Sequence, residues 1–275
     1  MTAIHTPVVF IHGLWLHATS WDPWVELFRN KGYEPIAPGW PNEPQTVKAA
    51  RENLDVVAGL GVQDVTDHYA RIIAGLDQKP VIIGHSFGGL IAQKLAAAGL
   101  ARATVAIDPT QIKGVKPLPF SQLRAGFPAL SNPANKHRSV SLTPNQFRYA
   151  FANAVDEAES RQLFEAYAIP SPGRPLFEAA FANFTPHSAA AVDVHAADRG
   201  PLLLMSGQED HTVPDVVTRA TYKLYGDTPS VELRQFADKG HSLVLDHGWH
   251  GVADYALGWL ARQDVRSVVG TVDGQ

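Results

Sequence analysis

The sequence predicts a domain of the α/β class built on a parallel sheet. Short runs rich in Val, Ile and Leu recur along the chain, and each is followed by Gly, Pro or Asp and then by a helical stretch. Strands that are apolar throughout and alternate with helices indicate a sheet covered on both faces. With 275 residues, 45% of them hydrophobic, the chain can bury a large core.

The apolar runs predict a mostly parallel sheet of about six strands, at 8–12, 33–37, 80–84, 103–108, 201–205 and 231–236. Apolar residues spaced by three and four predict flanking helices at 21–32, 65–76, 87–99, 215–226 and 249–263.

The alternation of strands and helices stops within 111–199, where prolines cluster and the helical pieces are short and aromatic. We therefore expect a core made of 1–110 and 200–275, with 111–199 inserted as a helical cap above the carboxyl edge of the sheet, where open α/β sheets bind ligands. The last dozen residues are expected to be a frayed tail.

Composition narrows the possible partners. The formal net charge is −4 and no run of Lys or Arg is present, which argues against nucleic acid or an anionic membrane and favours a small-molecule ligand. The absence of cysteine excludes disulfides, thiolate catalysis and cysteine-bound metal. The amino terminus has no basic region followed by a long apolar stretch, so we expect a soluble cytoplasmic protein. The oligomeric state is left open.

One short stretch carries the main chemical signal. Residues 81–89 read VIIGHSFGG, which is a strand, a serine flanked two positions away by Gly84 and Gly88, and the start of a helix. This pattern predicts a strained turn that exposes the hydroxyl of Ser86, because a Cβ at either glycine would strike the neighbouring backbone. The backbone amide of Phe87 would then point out at the positive end of the helix, as one half of an oxyanion hole.

A serine nucleophile needs a histidine to take its proton and a carboxylate to orient that histidine. Asp210 follows the strand at 201–205, with Glu209 as the rival carboxylate, and His241 lies in the loop after the last strand. A helix cap is the alternative role for Asp210. Asp108, after the strand at 103–108, is kept as a reserve acid.

The loop after the first strand is the expected source of the second oxyanion donor. There His12 and Gly13 stand at a strand end, and the backbone amide of Leu14 is the natural donor. His12 and His85 are expected to be buried residues that shape their turns.

In the order HGLW, GHSFGG, GQEDHTVP and GHS, these motifs resemble the α/β-hydrolase superfamily over roughly residues 8–265, and are most similar to small bacterial esterases and cofactor-free haloperoxidases. The resemblance implies a triad of Ser86, Asp210 and His241, with Leu14 and Phe87 as oxyanion donors. Two departures stand out. The two leading antiparallel strands common in the family are not expected here, and PGWPNEP at 38–44 replaces its glycine-rich turn.

The expected function is hydrolysis of a carboxylic ester, lactone or thioester of a small hydrophobic acid, without a cofactor. A lyase, a C–C bond hydrolase and a cofactor-free perhydrolase could use the same triad, and a non-catalytic binding protein is the rival of another class. Trp15, Trp40 and Leu118 are candidate pocket residues. No metal is expected, since His247 and His250 lack supporting ligands and are read as the start of the last helix.

Overall fold

A computed structural model describes residues 5–226, 228 and 230–265, so all of the predicted tail except its first two residues, Asp264 and Val265, falls outside the described residues. The strands are β1 (Pro7–Ile11), β2 (Glu34–Ile36), β3 (Val81–His85), β4 (Ala103–Ile107), β5 (Ser139–Val140), β6 (Ser171–Pro172), β7 (Leu202–Gly207) and β8 (Val231–Phe236). The α-helices are α1 (Asp22–Asn30), α2 (Val47–Glu52), α3 (Val62–Ala74), α4 (Phe87–Ala97), α5 (Phe120–Leu130), α6 (Pro144–Ala150), α7 (Glu157–Tyr167), α8 (Arg174–Ala180), α9 (Asp215–Tyr225) and α10 (Trp249–Arg262).

The main sheet has six parallel strands in the order β2-β1-β3-β4-β7-β8, which confirms the predicted fold class. The four central strands are buried along their whole length. Their branched apolar residues suit this position, because side chains on both faces meet a layer of helices. Parallel strands end at a common edge, so the loops after β1, β3, β4, β7 and β8 are brought together there.

Helices cover the two faces of the sheet. On one face the core includes Tyr69 of α3, Leu90 of α4 and Val217 of α9. On the other face it includes Trp24 of α1 and Trp259 of α10. The described part of the chain contains no helix long and apolar enough to cross a membrane.

The segment between β4 and β7, residues 111–199, carries four α-helices (α5 to α8) and the two-stranded β5-β6 ribbon. It is joined to the loop after β1 through an antiparallel bridge between Leu16 and Ala168. We call this segment the insertion. Sequence periodicity missed α2, which has only six residues and one buried side chain, Ala50, and it placed the start of α3 three residues late.

Candidate active site

Ser86 occupies a strained turn between β3 and α4. Its φ of +56° and ψ of −120° lie in a region that residues with a side chain rarely adopt. The turn is fixed on both sides, since the Ser86 amide donates to the Ile107 carbonyl at 2.9 Å and the Ser86 carbonyl accepts from the Thr110 amide at 3.0 Å. A Cβ on Gly88 would collide with the Ile11 carbonyl, which explains the glycine there.

The helix that follows Ser86 provides a local positive potential. The first amides of a helix have no acceptor within it, and the helix dipole adds partial positive charge at this end. The Phe87 amide is the first of these in α4. An anion that forms beside Ser86 would therefore be stabilised by the start of α4.

Asp210 and His241 form a buried pair at the same edge of the sheet. The His241 Nδ1 lies 2.6 Å from the Asp210 Oδ2, and the two side chains are almost completely buried. The other oxygen of Asp210 accepts from the amides of Thr212 at 2.6 Å and Val213 at 2.9 Å. Asp210 therefore also caps its own turn, while the rival carboxylate, Glu209, is exposed.

The imidazole of His241 is held between two other rings. Its centroid lies 4.5 Å from that of His85 and 4.9 Å from that of Phe151. Burial, with a further contribution from His241, holds the pKa of His85 well below its ordinary value. His85 is therefore neutral, and its Nε2 lies 2.9 Å from the His241 carbonyl, to which it can donate. The Nε2 of His241 is buried and has no hydrogen-bond partner among the described residues.

Asp108, the reserve acid, lies close to the same pair. Its Oδ1 accepts from the Gly207 amide at 2.8 Å, whereas its Oδ2 is 3.9 Å from the His241 Nδ1. Burial, followed by repulsion from the Asp210 carboxylate, raises the pKa of Asp108 well above its ordinary value. A raised pKa favours the neutral form of Asp108, which holds an imidazolium less well than a carboxylate does, and Asp210 is also 1.3 Å nearer to His241.

Within the described residues, His85, Asp108 and His241 form the one cluster whose ligand atoms lie within 4.8 Å of one another. Nδ1 of His241 already faces Asp210 and Nε2 of His85 faces a carbonyl, whereas Nδ1 of His85, Nε2 of His241 and Oδ2 of Asp108 are buried without a hydrogen-bond partner among the described residues. His247 and His250 do not converge on a site. His247 pairs with Glu159 at 2.8 Å, and His250 lies in α10.

The loop after β1 passes directly over Ser86. A Cβ on Gly13 would lie 2.6 Å from the Ser86 Cβ, so only glycine allows this approach. The next peptide carries the Leu14 amide, the predicted second donor. His12 supports the loop from behind, with its Nδ1 2.8 Å from the Gly13 carbonyl and its Nε2 2.9 Å from the Glu43 carboxylate.

Sequence reasoning missed Glu43, although it lies in the unusual PGWPNEP turn. It is buried with His12, and its Oε1 accepts from the Ala18 amide at 3.0 Å. Burial by itself would lower the pKa of His12 and raise that of Glu43. Their mutual attraction outweighs burial, so the pKa of His12 is raised and that of Glu43 is lowered. The pair therefore favours a protonated imidazole beside an ionised carboxylate.

A small cavity of about 80 Å³ lies next to Phe87. Trp15 and Leu118, two of the three predicted pocket residues, line it. Trp40, the third predicted pocket residue, does not line this cavity. Its ring stacks on His12 and its Nε1 donates to the His12 carbonyl at 3.1 Å, so it supports the loop after β1 instead.

A larger cavity of about 960 Å³, around Pro7 and Tyr33, is at the start of β1, away from this edge of the sheet.

The six-stranded parallel sheet and its flanking helices define the α/β-hydrolase fold. The chain belongs to the alpha/beta hydrolase family, whose model matches residues 8–255. No curated protein gives a significant match.

Solved structures of similar fold include three hydrolase-like proteins. A monoacylglycerol lipase from Paleococcus ferrophilus aligns with a TM-score of 0.64 and 20% identity, over 95% of this chain and 98% of that one. A thermophilic esterase from Thermogutta terrifontis aligns with a TM-score of 0.66 and 18% identity, over 95% of this chain and 92% of that one. A bromoperoxidase-like protein from Mycobacterium tuberculosis aligns with a TM-score of 0.66 and 21% identity, over 95% of this chain and 94% of that one. At these identities the likeness establishes the fold alone.

Proposed function

We propose that the protein is a serine hydrolase that cleaves a carboxylic ester of a small hydrophobic acid, with Ser86, His241 and Asp210 as its triad. The single observation that carries the proposal is the state of His241. Its Nδ1 is held by Asp210 at 2.6 Å, while its Nε2 is buried without a partner, beside the residue that precedes Ser86. A histidine held in this way is suited to accept a proton from a serine.

The proposed reaction runs in two halves. Ser86 attacks the ester carbonyl as its proton passes to Nε2 of His241, and the Leu14 and Phe87 amides stabilise the oxyanion. The C–O bond to the alcohol then breaks, and His241 gives its proton to the departing oxygen. Water, deprotonated by the same His241, attacks the acyl-enzyme and releases the acid and free Ser86. Asp210 keeps its negative charge throughout and stabilises the imidazolium.

The cavity beside Phe87 favours a short apolar acyl group. Its lining is mainly apolar, and Gly126 of α5 and Ala179 of α8 keep it open because their side chains are small. Its volume of about 80 Å³ leaves little room for a long chain. The esterase and lipase names of the similar structures agree with an ester substrate, although they describe those proteins.

The experiment is hydrolysis of p-nitrophenyl esters of increasing acyl length, with a pre-steady-state burst as the sign of an acyl-enzyme. Ser86→Ala should abolish the burst and nearly all turnover. Ser160→Ala is the matched control, because Ser160 is a buried serine of α7 outside the site. If folded wild type hydrolyses no ester, C–C cleavage, perhydrolysis and ligand binding become the functions to test.

A further inference from the structure

In helix α5 the large apolar side chains face outward and the small ones face the core, which is the reverse of a normal surface helix. Phe120 is 78% exposed, Phe127 is 65% exposed and Leu123 is 44% exposed. The buried face is formed by small residues, such as Ala125 and Ala129. A helix that meets only water places its large apolar side chains inward. This arrangement indicates that the outer face of α5 contacts an apolar phase.

The apolar surface extends beyond α5. In the described residues, every phenylalanine that is largely exposed lies in the insertion, and Phe181 and Phe184 add to those of α5. Leu118, just before α5, is 56% exposed. Between α5 and α6 the surface opens into a mostly apolar groove of about 570 Å³. Exposed apolar patches of this kind are uncommon on soluble proteins unless they bind something.

The charge of the first half of the insertion, which contains α5 and α6, is equally one-sided. From 109 to 155 there is no acidic residue, whereas six basic residues occur, namely Lys113, Lys116, Arg124, Lys136, Arg138 and Arg148. Since the whole chain has a formal net charge of −4, the remainder stands at −10. Lys116, Arg124, Lys136 and Arg138 are exposed and make no ion pair with a described residue.

The basic side chains lie among the exposed rings. Arg124 lines the groove together with Phe120 and Phe127, and its guanidinium lies 4.0 Å from the centre of the Tyr149 ring. Lys136 and Phe181 share a second surface depression. This face of the insertion therefore combines positive charge with exposed aromatic groups, and these two features together promote binding to anionic lipid headgroups and the acyl region beneath them.

We infer that this face of the insertion binds the surface of an anionic phospholipid membrane. The inference does not depend on the proposed esterase activity. It replaces the expectation of no membrane partner. That expectation considered only contiguous runs of Lys and Arg, whereas these basic residues are spaced along the chain, and two of them, Arg124 and Lys136, lie beside exposed phenylalanines. Self-association through this face is unfavourable, because two basic surfaces would meet.

Two apolar residues connect this face with the interior. Leu118 and Leu123 are exposed on the surface, and both line the cavity that includes Phe87. This connection between the surface and the cavity would add nothing to the binding of a protein partner. A lipid or other amphiphile at the surface, by contrast, would find an apolar path from the membrane to the cavity. This feature favours lipid over an acidic protein.

The test is co-sedimentation of the purified full chain with vesicles of phosphatidylcholine, alone or with 30% phosphatidylserine. We expect binding to the anionic vesicles at least about tenfold stronger than to neutral ones, and weaker at high salt. Phe120→Ser with Phe127→Ser should reduce binding by about tenfold or more, as should Lys116→Glu with Lys136→Glu. All four side chains are exposed, so the fold should be retained.

Matched controls change the same chemistry elsewhere on the surface. Leu54→Ser with Val216→Ser removes exposed apolar groups outside the insertion, and Lys48→Glu with Lys79→Glu makes the same change in net charge. Both should bind as wild type does. The inference is overturned if no vesicle binds, if neutral and anionic vesicles bind equally, or if the controls lose binding equally. It is also overturned if the phenylalanine variants abolish self-association in solution or the capture of an acidic polypeptide and leave vesicle binding intact.

Discussion

Replacing Glu43 by glutamine should weaken the proposed oxyanion loop without touching the triad. The side chain keeps its volume, and its oxygen can still accept from the Ala18 amide, but the charge that raises the pKa of His12 is lost. A protonated His12 carries a hydrogen on both ring nitrogens, so Nδ1 can donate to the Gly13 carbonyl while Nε2 faces the Glu43 carboxylate. The Gly13 carbonyl and the Leu14 amide belong to one peptide group. A donor on the carbonyl therefore fixes the plane of that group and polarises its N–H.

The size of the effect can be bounded. Removing one partner of a buried charge pair costs about 3–5 kcal/mol when the other charge remains, but His12 can lose its proton, so we expect about 2 kcal/mol. This corresponds to a fall in Tm of roughly 4–8 °C for a domain of this size. Complete loss of an oxyanion donor lowers kcat by about 10²–10³. Since the Leu14 amide stays present but less well oriented, we expect about a tenfold fall in kcat with KM little changed.

The pH dependence gives a sharper test. The pKa of His12 is raised from 6.5, so its contribution to stability is complete below 6.5 and is lost as the pH rises through the raised value. The pKa of Glu43 is lowered from 4.5, so its contribution is complete above 4.5 and is lost as the pH falls through the lowered value. The stability difference between wild type and Glu43→Gln should therefore be greatest between these two pH values.

The assay is urea unfolding from pH 4 to 9, together with ester kinetics at each pH. Glu232→Gln is the matched control, because Glu232 of β8 accepts from the Trp259 Nε1 at 2.9 Å on the other side of the molecule. That variant should lose some stability but keep its kcat. A Glu43→Gln protein with unchanged kcat would refute the proposed link between the ion pair and the Leu14 amide. A stability difference that does not vary with pH would refute the charged state of the pair.

Three further substitutions separate the roles of neighbouring groups. Asp210→Asn should lower kcat by about 10³ or more with a small change in KM, because an amide cannot stabilise the His241 imidazolium; steady-state kinetics would show otherwise if Asp210 only caps its turn. Asp108→Asn should retain most of the activity, since the amide resembles the neutral acid that burial favours there, and a loss equal to that of Asp210→Asn would make Asp108 the acid. Gly13→Ala should abolish the burst in a protein that still folds by circular dichroism, because the new Cβ would lie 2.6 Å from the Cβ of Ser86.

The sequence predicted those features that depend on local patterns. The four central strands were found because each is a continuous apolar run, and the turn at Ser86 was found because Gly84 and Gly88 mark it within five residues. The edge strands β2 and β8 carry polar residues, such as Glu34 and Glu232, and were predicted from weaker runs. The partnership of Glu43 with His12 spans 31 positions and two irregular loops, and no local periodicity reports such a contact. The family resemblance gave no help there, since the PGWPNEP turn departs from the family pattern.

Backbone contacts determine which part of the insertion can open. The Trp15 amide donates to the Ser171 hydroxyl at 2.6 Å, the Ile169 amide donates to the Trp15 carbonyl at 3.1 Å, and the His17 amide donates to the Tyr167 carbonyl at 3.0 Å. Movement of 167–171 would therefore displace the loop that carries the proposed Leu14 donor. Helix α5 has no such tie to that loop in the described hydrogen bonds, and it covers the cavity with its small residues. Movement of α5 would therefore give access to the cavity without displacing the proposed Leu14 donor, and α5 lies on the side that faces the proposed membrane.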